Sequence, residues 1–278
     1  MSIAHHNGAA PPELLPGGSA RARRATTTSQ PPAGVRIREV SKVFGRGDSA
    51  LLALDRLSLT VAPGAFVCLI GASGCGKSTL LSLVAGLDSA TSGQVSTEGQ
   101  RVALMFQEPA LFPWLTTARN VELALRASGI SRAERRQRAA ALLDVVHLGG
   151  FADKRPHELS GGMRQRAALA RALAQDAEIL LMDEPFGALD AMTRDLLHDE
   201  LDRIRAGRGL TVLFVTHNVR EAVRLGDRVV VLSSRPGRVI DEFDVPIRRP
   251  RRIDSAEVAG LAATITDRLR EEMVRHGR

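Results

Sequence analysis

Gly71-Ala72-Ser73-Gly74-Cys75-Gly76-Lys77-Ser78-Thr79 follows the apolar run Phe66–Ile70 and precedes a helical pattern marked by Leu80, Leu81 and Val84, which Gly86 ends. The stretch fits G-x-x-x-x-G-K-[ST] in the strand-then-helix setting that the motif requires. Glycine lets the backbone curl until successive N–H groups point inward at phosphate oxygens. The helix N-terminus behind them adds partial positive charge. Lys77 is placed to neutralise β- and γ-phosphates, and the Ser78 hydroxyl to ligate Mg²⁺. A Gly/Ser-rich turn with a stray lysine would not also supply the strand, the spacing and the helix. The stretch reads as a nucleotide site, with Cys75 as a small loop residue and not a reactive or metal-binding one.

Outward from this loop, short β-branched runs read as buried strands at 35–40, Phe66–Ile70, 102–106, Ile179–Asp183, 211–216 and Arg228–Leu232. Helical patterns alternate with most of them. Leu197, Leu201 and Ile204 mark one, and Val219, Ala222 and Val223 another that stops at Gly226. This alternation predicts an α/β fold with a mainly parallel sheet. Between 112 and 174 the pattern is almost wholly helical. Ser131 and Glu134 form a capping-box pattern, and Ala139, Leu142, Leu143 and Val146 share one apolar face. A helical subdomain is therefore expected within an α/β core spanning 35–243. A tail over 1–34 and a basic, helical extension over 244–278 flank it.

Ile179-Leu180-Leu181-Met182-Asp183-Glu184 is an apolar strand ending in two acids. Open parallel sheets bind ligands at the C-terminal edge of their strands. Asp183 can hold Mg²⁺ there, and Glu184 can polarise an attacking water as general base. A strand-end Asp-Glu alone is an ordinary solvated terminus; beside a phosphate loop it acquires a catalytic reading.

The chain has 278 residues, 44% of them hydrophobic, and a net charge of +7. No run approaches the roughly 18–20 apolar residues of a membrane span. Residues 1–34 are rich in Ala, Pro, Gly, Ser and Thr, and Arg21, Arg23 and Arg24 lead into no apolar run. The tail is thus expected to be disordered and the chain unexported. The two cysteines fit a reduced compartment. Three Arg and one Glu in 1–34, and eight Arg against six acids in 244–278, leave only a modest positive excess on the body. The charge reads as solvated, with no nucleic-acid footprint. The run Arg248-Arg249-Pro250-Arg251-Arg252 also reads as solvated, with contact to anionic lipid headgroups as the alternative.

Leu159-Ser160-Gly161-Gly162-Met163-Arg164-Gln165-Arg166 resembles the signature sequence of ABC ATPases. The other elements of that family occur in order: Gln107 at the Q-loop, Gly187-Ala188-Leu189-Asp190 at the D-loop, and His217 as the switch histidine. The resemblance covers about 35–240. It implies a P-loop NTPase core with an inserted α-helical subdomain, working as a head-to-tail homodimer with two ATP molecules between the subunits. It further implies that residues 71–79 of one copy and Ser160, Gly161 and Gly162 of the other hold each ATP. In that scheme His217 contacts the γ-phosphate, Gln107 links Mg²⁺ to the membrane partner, and Glu184 and Lys77 take part in catalysis. Two departures stand out. Met163 replaces the usual Gln, and Phe44 takes the place of the usual adenine-stacking Tyr in a chain that has none.

Gln107-Glu108-Pro109-Ala110-Leu111-Phe112-Pro113-Trp114 and Ser234-Arg235-Pro236-Gly237-Arg238 resemble the nitrate, sulfonate and taurine importer group, most closely its aliphatic-sulfonate members. That implies transmembrane permease subunits, an extracytoplasmic substrate-binding protein and a place on the cytoplasmic face of the inner membrane. Trp114, the single Trp, reads either as a permease contact or as packing between lobes. A soluble ABC ATPase acting on nucleic acid or ribosomes is the contrasting class. Such proteins usually carry a second nucleotide-binding unit or a long coiled-coil insertion, and this sequence carries neither.

Overall fold

The computed structural model describes residues 34–126 and 129–276, within one unit of the chain that spans Pro32–Arg278. The tail expected over 1–34 lies outside the described residues except for Gly34. Gly34 is buried and donates its N–H to Val61 O at 2.7 Å, so it belongs to the folded body.

Six strands form the main sheet: β3 (Phe66–Ile70), β5 (Val102–Met105), β6 (Ile179–Asp183), β7 (Thr211–Val215), β8 (Arg228–Leu232) and β9 (Val239–Asp244). Their order is β5-β6-β7-β3-β8-β9, parallel throughout except for β9, which runs antiparallel to β8. Every residue of β3, β6 and β7 is buried, as expected of parallel strands covered on both faces. The period of two sorts their side chains cleanly. Phe66, Cys68, Ile70, Leu180, Met182, Val212 and Phe214 enter one core cluster. Val67, Leu69, Ile179, Leu181, Leu213 and Val215 enter the other.

The second cluster is closed by a three-stranded antiparallel sheet that the sequence reading missed. It contains β1 (Val35–Phe44), β2 (Leu51–Val61) and β4 (Ser92–Ser96), in the order β2-β1-β4. Only 35–40 was expected as strand, yet β1 continues to Phe44. The polar residues Asp55, Arg56, Ser58 and Thr60 in β2, and the mostly polar SGQVS of β4, blur the apolar signal of a one-sided sheet. The β1–β2 register pairs Phe44 with Leu51. Two expected strands end one residue early, at Met105 and Val215.

Between β5 and β6 the chain forms α2 (Thr117–Arg126), α3 (Arg132–Val145) and α4 (Gly161–Leu173). Val121, Leu125, Ala139, Leu143, Ala167 and Ala170 seal the lobe. Ser131 caps α3 by accepting from Glu134 N at 3.2 Å. The reciprocal half of the expected capping box is replaced, because the Glu134 carboxylate accepts from Arg138 at 2.6 Å.

Downstream, α5 (Ala191–Arg208), α6 (Val219–Leu225) and α7 (Ala256–His276) cover the first cluster, the last through Val258, Ala262 and Ile265. Among the described residues no helix is long and apolar enough to cross a membrane. The basic run at 248–252 departs from its expected solvation. Arg251 is only 6% exposed and donates to the carbonyls of Val223, Arg224, Gly226, Val245 and Ile247. Arg249 pairs with Asp202 and Asp227 and donates to Leu225 O. The reason lies at the end of α6. Gly226 leaves the helix in an extended conformation instead of a left-handed one, so the last carbonyls need other donors. Arg248 and Arg252 remain exposed. Arg251→Ala is expected to cost about 2–4 kcal/mol of stability by stranding buried carbonyls, measured as a lower denaturant midpoint at constant m-value.

Candidate functional site

Because β3, β6, β7 and β8 run parallel, the loops that leave their C-terminal ends gather along one edge. A cleft of about 370 Å³ lies there, lined by Phe44, Leu51, Ala53, Ser73, Gly74, Gly76, Lys77, Ser78, Thr79, Gln107, Glu184 and Arg235. The loop after β3 turns into α1 (Lys77–Val84) at Gly76, which has φ +100° and offers no side-chain cap. A Cβ on Gly76 would sit 2.6 Å from Leu54 Cδ2 and 3.0 Å from Ala53 O, so only glycine permits this turn. The first N–H groups of α1 are thereby left to face a ligand.

Lys77 is 7% exposed, and its ammonium donates to Gly71 O and Ala72 O, each at 2.9 Å. It is held over its own loop, 3.8 Å from Cys75 Sγ. Burial pushes the Cys75 thiol up, and the Lys77 charge only partly offsets this.

Asp183 ends β6 with 8% exposure. Burial raises its carboxyl above the ordinary range and the Glu184 charge adds to the rise, against the Ser78 hydrogen bond and the Lys77 charge. The Ser78 hydroxyl hydrogen-bonds the Asp183 carboxylate, and Gln107 lines the same cleft as Ser78; hydroxyl, carboxylate and amide oxygens are hard donors of the kind Mg²⁺ takes. Among the described residues no three His, Cys, Asp or Glu side chains cluster as a metal cage. This donor set therefore fits a cation whose shell is completed by phosphate oxygens and water.

Glu184 follows with φ +46°, an uncommon conformation for a non-glycine residue and one that clusters at functional sites. Its N–H donates to Val215 O at 3.0 Å, and its Oε2 lies 3.1 Å from His217 Nδ1. The His217 loop stands on buried polar contacts. Thr216 donates to Glu221, Glu221 meets His198 Nε2 at 2.9 Å, and Asn218 N donates to Thr216 Oγ1 at 3.0 Å. Phe44 is 41% exposed at the rim, with Lys42 Nζ 4.9 Å from its ring centroid.

Ser160, Gly161 and Gly162 lie apart from these residues. None lines the cleft. Ser160 is exposed and caps α4 by accepting from Met163 N at 3.2 Å. A Cβ on Gly162 would meet Leu189 Cδ2 at 2.9 Å, so the signature packs beside the 187–190 turn.

Two residues that the sequence reading left without roles tie the lobe to the cleft. Gln165 of α4 donates to Gln107 O at 3.5 Å and accepts from Ala188 N at 3.1 Å. Arg171 donates to Ala110 O at 2.7 Å and to Pro109 O at 2.9 Å. Only folding reveals these long-range partners; no local motif marks them. Trp114 is 66% exposed and touches the Phe112 ring at 5.4 Å between centroids, so packing between lobes is not its role.

A phosphate loop at the centre of a parallel sheet, an Asp-Glu strand end beside it and a helical lobe between β5 and β6 define a P-loop nucleotide hydrolase with an ATP-binding cassette. The sequence matches the ABC transporter family over residues 54–187. It is 50% identical to an aliphatic sulfonates import ATP-binding protein of Mesorhizobium japonicum, over 78% of this chain and 83% of that one. It is 46% identical to a nitrate import ATP-binding protein of Synechocystis sp., over 76% and 82%. A taurine import ATP-binding protein of Burkholderia pseudomallei is likewise 46% identical, over 76% and 84%. Among solved structures, a dimeric ATP-binding cassette in a post-hydrolysis state with ADP and Pi superposes with a TM-score of 0.72 and 34% identity. That match covers 77% of this chain and all of the other. The chain belongs to the ABC transporter family, in the group of its nitrate, sulfonate and taurine import ATP-binding proteins. ATP hydrolysis coupled to transport is the activity of this class.

The raised Asp183 carboxyl has a stability consequence. Where the folded pKa exceeds the unfolded one, the folded state binds the proton more tightly. The ionised side chain then costs stability that is recovered as pH falls through the folded pKa. Asp183→Asn is expected to raise the thermal unfolding midpoint at pH 7 over wild type, with the gain shrinking toward pH 4. Scanning calorimetry at both pH values checks this.

Proposed function

We propose that this chain is the motor of an import complex for aliphatic sulfonates, with nitrate or taurine as the alternative cargo. It works as a homodimer, held peripherally at the cytoplasmic face of the inner membrane by transmembrane permease subunits. An extracytoplasmic binding protein delivers substrate, and nucleic acid has no part. The observation that carries the motor reading is the division of the site. Ser73, Gly74, Gly76, Lys77, Ser78, Thr79 and Glu184 line one cleft, with His217 held 3.1 Å from Glu184 and Asp183 hydrogen-bonded to Ser78 behind it, while Ser160, which is exposed, and its glycines line none of it. A second copy, head to tail, supplies the missing Ser160, Gly161 and Gly162 as a helix N-terminus facing the γ-phosphate.

Within this reading, the loop N–H groups and Lys77 grip the ATP phosphates, and Phe44 stacks on adenine. Ser78, Asp183 and Gln107 would hold Mg²⁺, which when bound would supply positive charge against the phosphates. Glu184 takes the proton of the water that attacks the γ-phosphorus, while the bond from that phosphorus to the β–γ bridging oxygen breaks and ADP departs with the electron pair. His217, 3.1 Å from the Glu184 carboxylate, orients that carboxylate and contacts the γ-phosphate. The permease docks on a second groove of about 730 Å³, whose lining includes Leu87, Phe106, Phe112 and Leu123, each exposed. Arg171 lines this groove and also holds Pro109 and Ala110, so it connects the groove to the Gln107 loop.

Glu184→Gln is expected to retain ATP binding, lower turnover by about 10²–10⁴ and accumulate an ATP-dependent dimer in gel filtration. Normal turnover would place the base elsewhere. Cargo is tested by growth of a strain lacking this chain. Failure on an alkanesulfonate as sole sulfur source, restored by wild type but not by Lys77→Ala, is expected. Failure only on taurine, or only on nitrate as nitrogen source, would reassign the substrate.

A further inference from the structure

The turn that joins β8 to β9 takes part in no step described above, yet it reaches the phosphate loop. Ser233 N donates to Arg238 O and Arg238 N to Ser233 Oγ, both at 2.9 Å, while Ser233 Oγ donates to Pro236 O at 2.7 Å. This closed turn is bolted to β2 by Gly237 N to Ala53 O at 2.8 Å and Asp55 N to Gly237 O at 3.1 Å. Arg238 adds an ion pair with Asp55. A Cβ on Gly237 would lie 2.2 Å from Cys75 O, so glycine is required for the turn to seat directly against the phosphate loop.

That rigid seat carries Arg235 into the cleft. Its Nε donates to Gly74 O at 3.1 Å, and its Nη2 sits 2.9 Å from the point where a Cβ of Gly74 would be. The guanidinium thus lies on the bare face of the loop and lines the same cleft as Ser73, Lys77 and Ser78. Unlike Arg238, it has no carboxylate within ion-pair distance among the described residues. A preorganised turn that holds an unpaired cation near Lys77 costs electrostatic repulsion unless an anion joins them. A planar guanidinium suits phosphate oxygens well.

We propose that Arg235 is a nucleotide-binding residue, which contacts the polyphosphate of ATP or ADP from the Gly74 side of the loop. This rests on the ATPase reading above and adds a ligand to it. The test is calorimetric titration of the full chain with ATP, ADP and adenosine. Arg235→Gln is expected to weaken ATP and ADP roughly tenfold, the scale of one charge-assisted hydrogen bond. Adenosine affinity and the nucleotide-free unfolding midpoint should stay unchanged, and Arg235→Lys should recover part of the loss. ATP and ADP affinities within about twofold of wild type in the Gln variant would overturn the proposal. So would an equal loss for adenosine, or a loss that follows a lowered unfolding midpoint; either would leave Arg235 as a cap on Gly74. Absence of ATP binding by wild type itself would instead overturn the ATPase reading, and Lys77→Ala serves as the reference for lost phosphate binding.

Discussion

The hydrogen-bonded register of β3 between β7 and β8 is the constraint on which the cleft depends. Phe66 pairs with Val212 and Ile70 with Val231, and through β7 the end of β6 is set level, with Asp183 opposite Val215. Parallel pairing puts every following loop on one edge, which antiparallel pairing would have split between two. The phosphate loop, the Asp183-Glu184 turn, the His217 loop and the Arg235 turn meet for this reason. Each strand is buried on both faces, and a one-residue slip would exchange the two core clusters.

Groups brought together in this way carry an electrostatic cost. Asp183 is buried beside the charge of Glu184, and Lys77 is drawn onto two loop carbonyls. Glu184 adds a left-handed backbone. The buried Asp183 carboxylate and the left-handed backbone of Glu184 lower stability in the isolated chain. The core that bears the cost is correspondingly dense, with Phe66, Phe186 and Phe214 packed ring against ring behind the Asp183-Glu184 turn.

The helical lobe is joined to this core by few polar links, and those links touch the loops that matter. Gln165 bridges Gln107 and Ala188, and Arg171 clamps Pro109 and Ala110. A rotation of the lobe would pull on both loops at once. This gives a physical route from the exposed groove around Phe112, which Arg171 lines, to the cleft that Gln107 lines.

By itself the sequence determined the central strands, the phosphate loop, the Asp183-Glu184 pair and the inserted lobe. Each of these is local: an unbroken buried run, a fixed glycine spacing, or a 3.6-residue period. Only the tertiary structure decided the rest. The antiparallel sheet of β1, β2 and β4 escaped because a sheet with one buried face, broken by bulges and polar residues, leaves a weak pattern. Arg249 and Arg251 read as surface charge because nothing local shows that α6 ends with unpaired carbonyls awaiting them. Gln165, Arg171 and Arg235 act on residues 23 to 161 positions away, and side chains at such separations meet only once the sheet has aligned its loops.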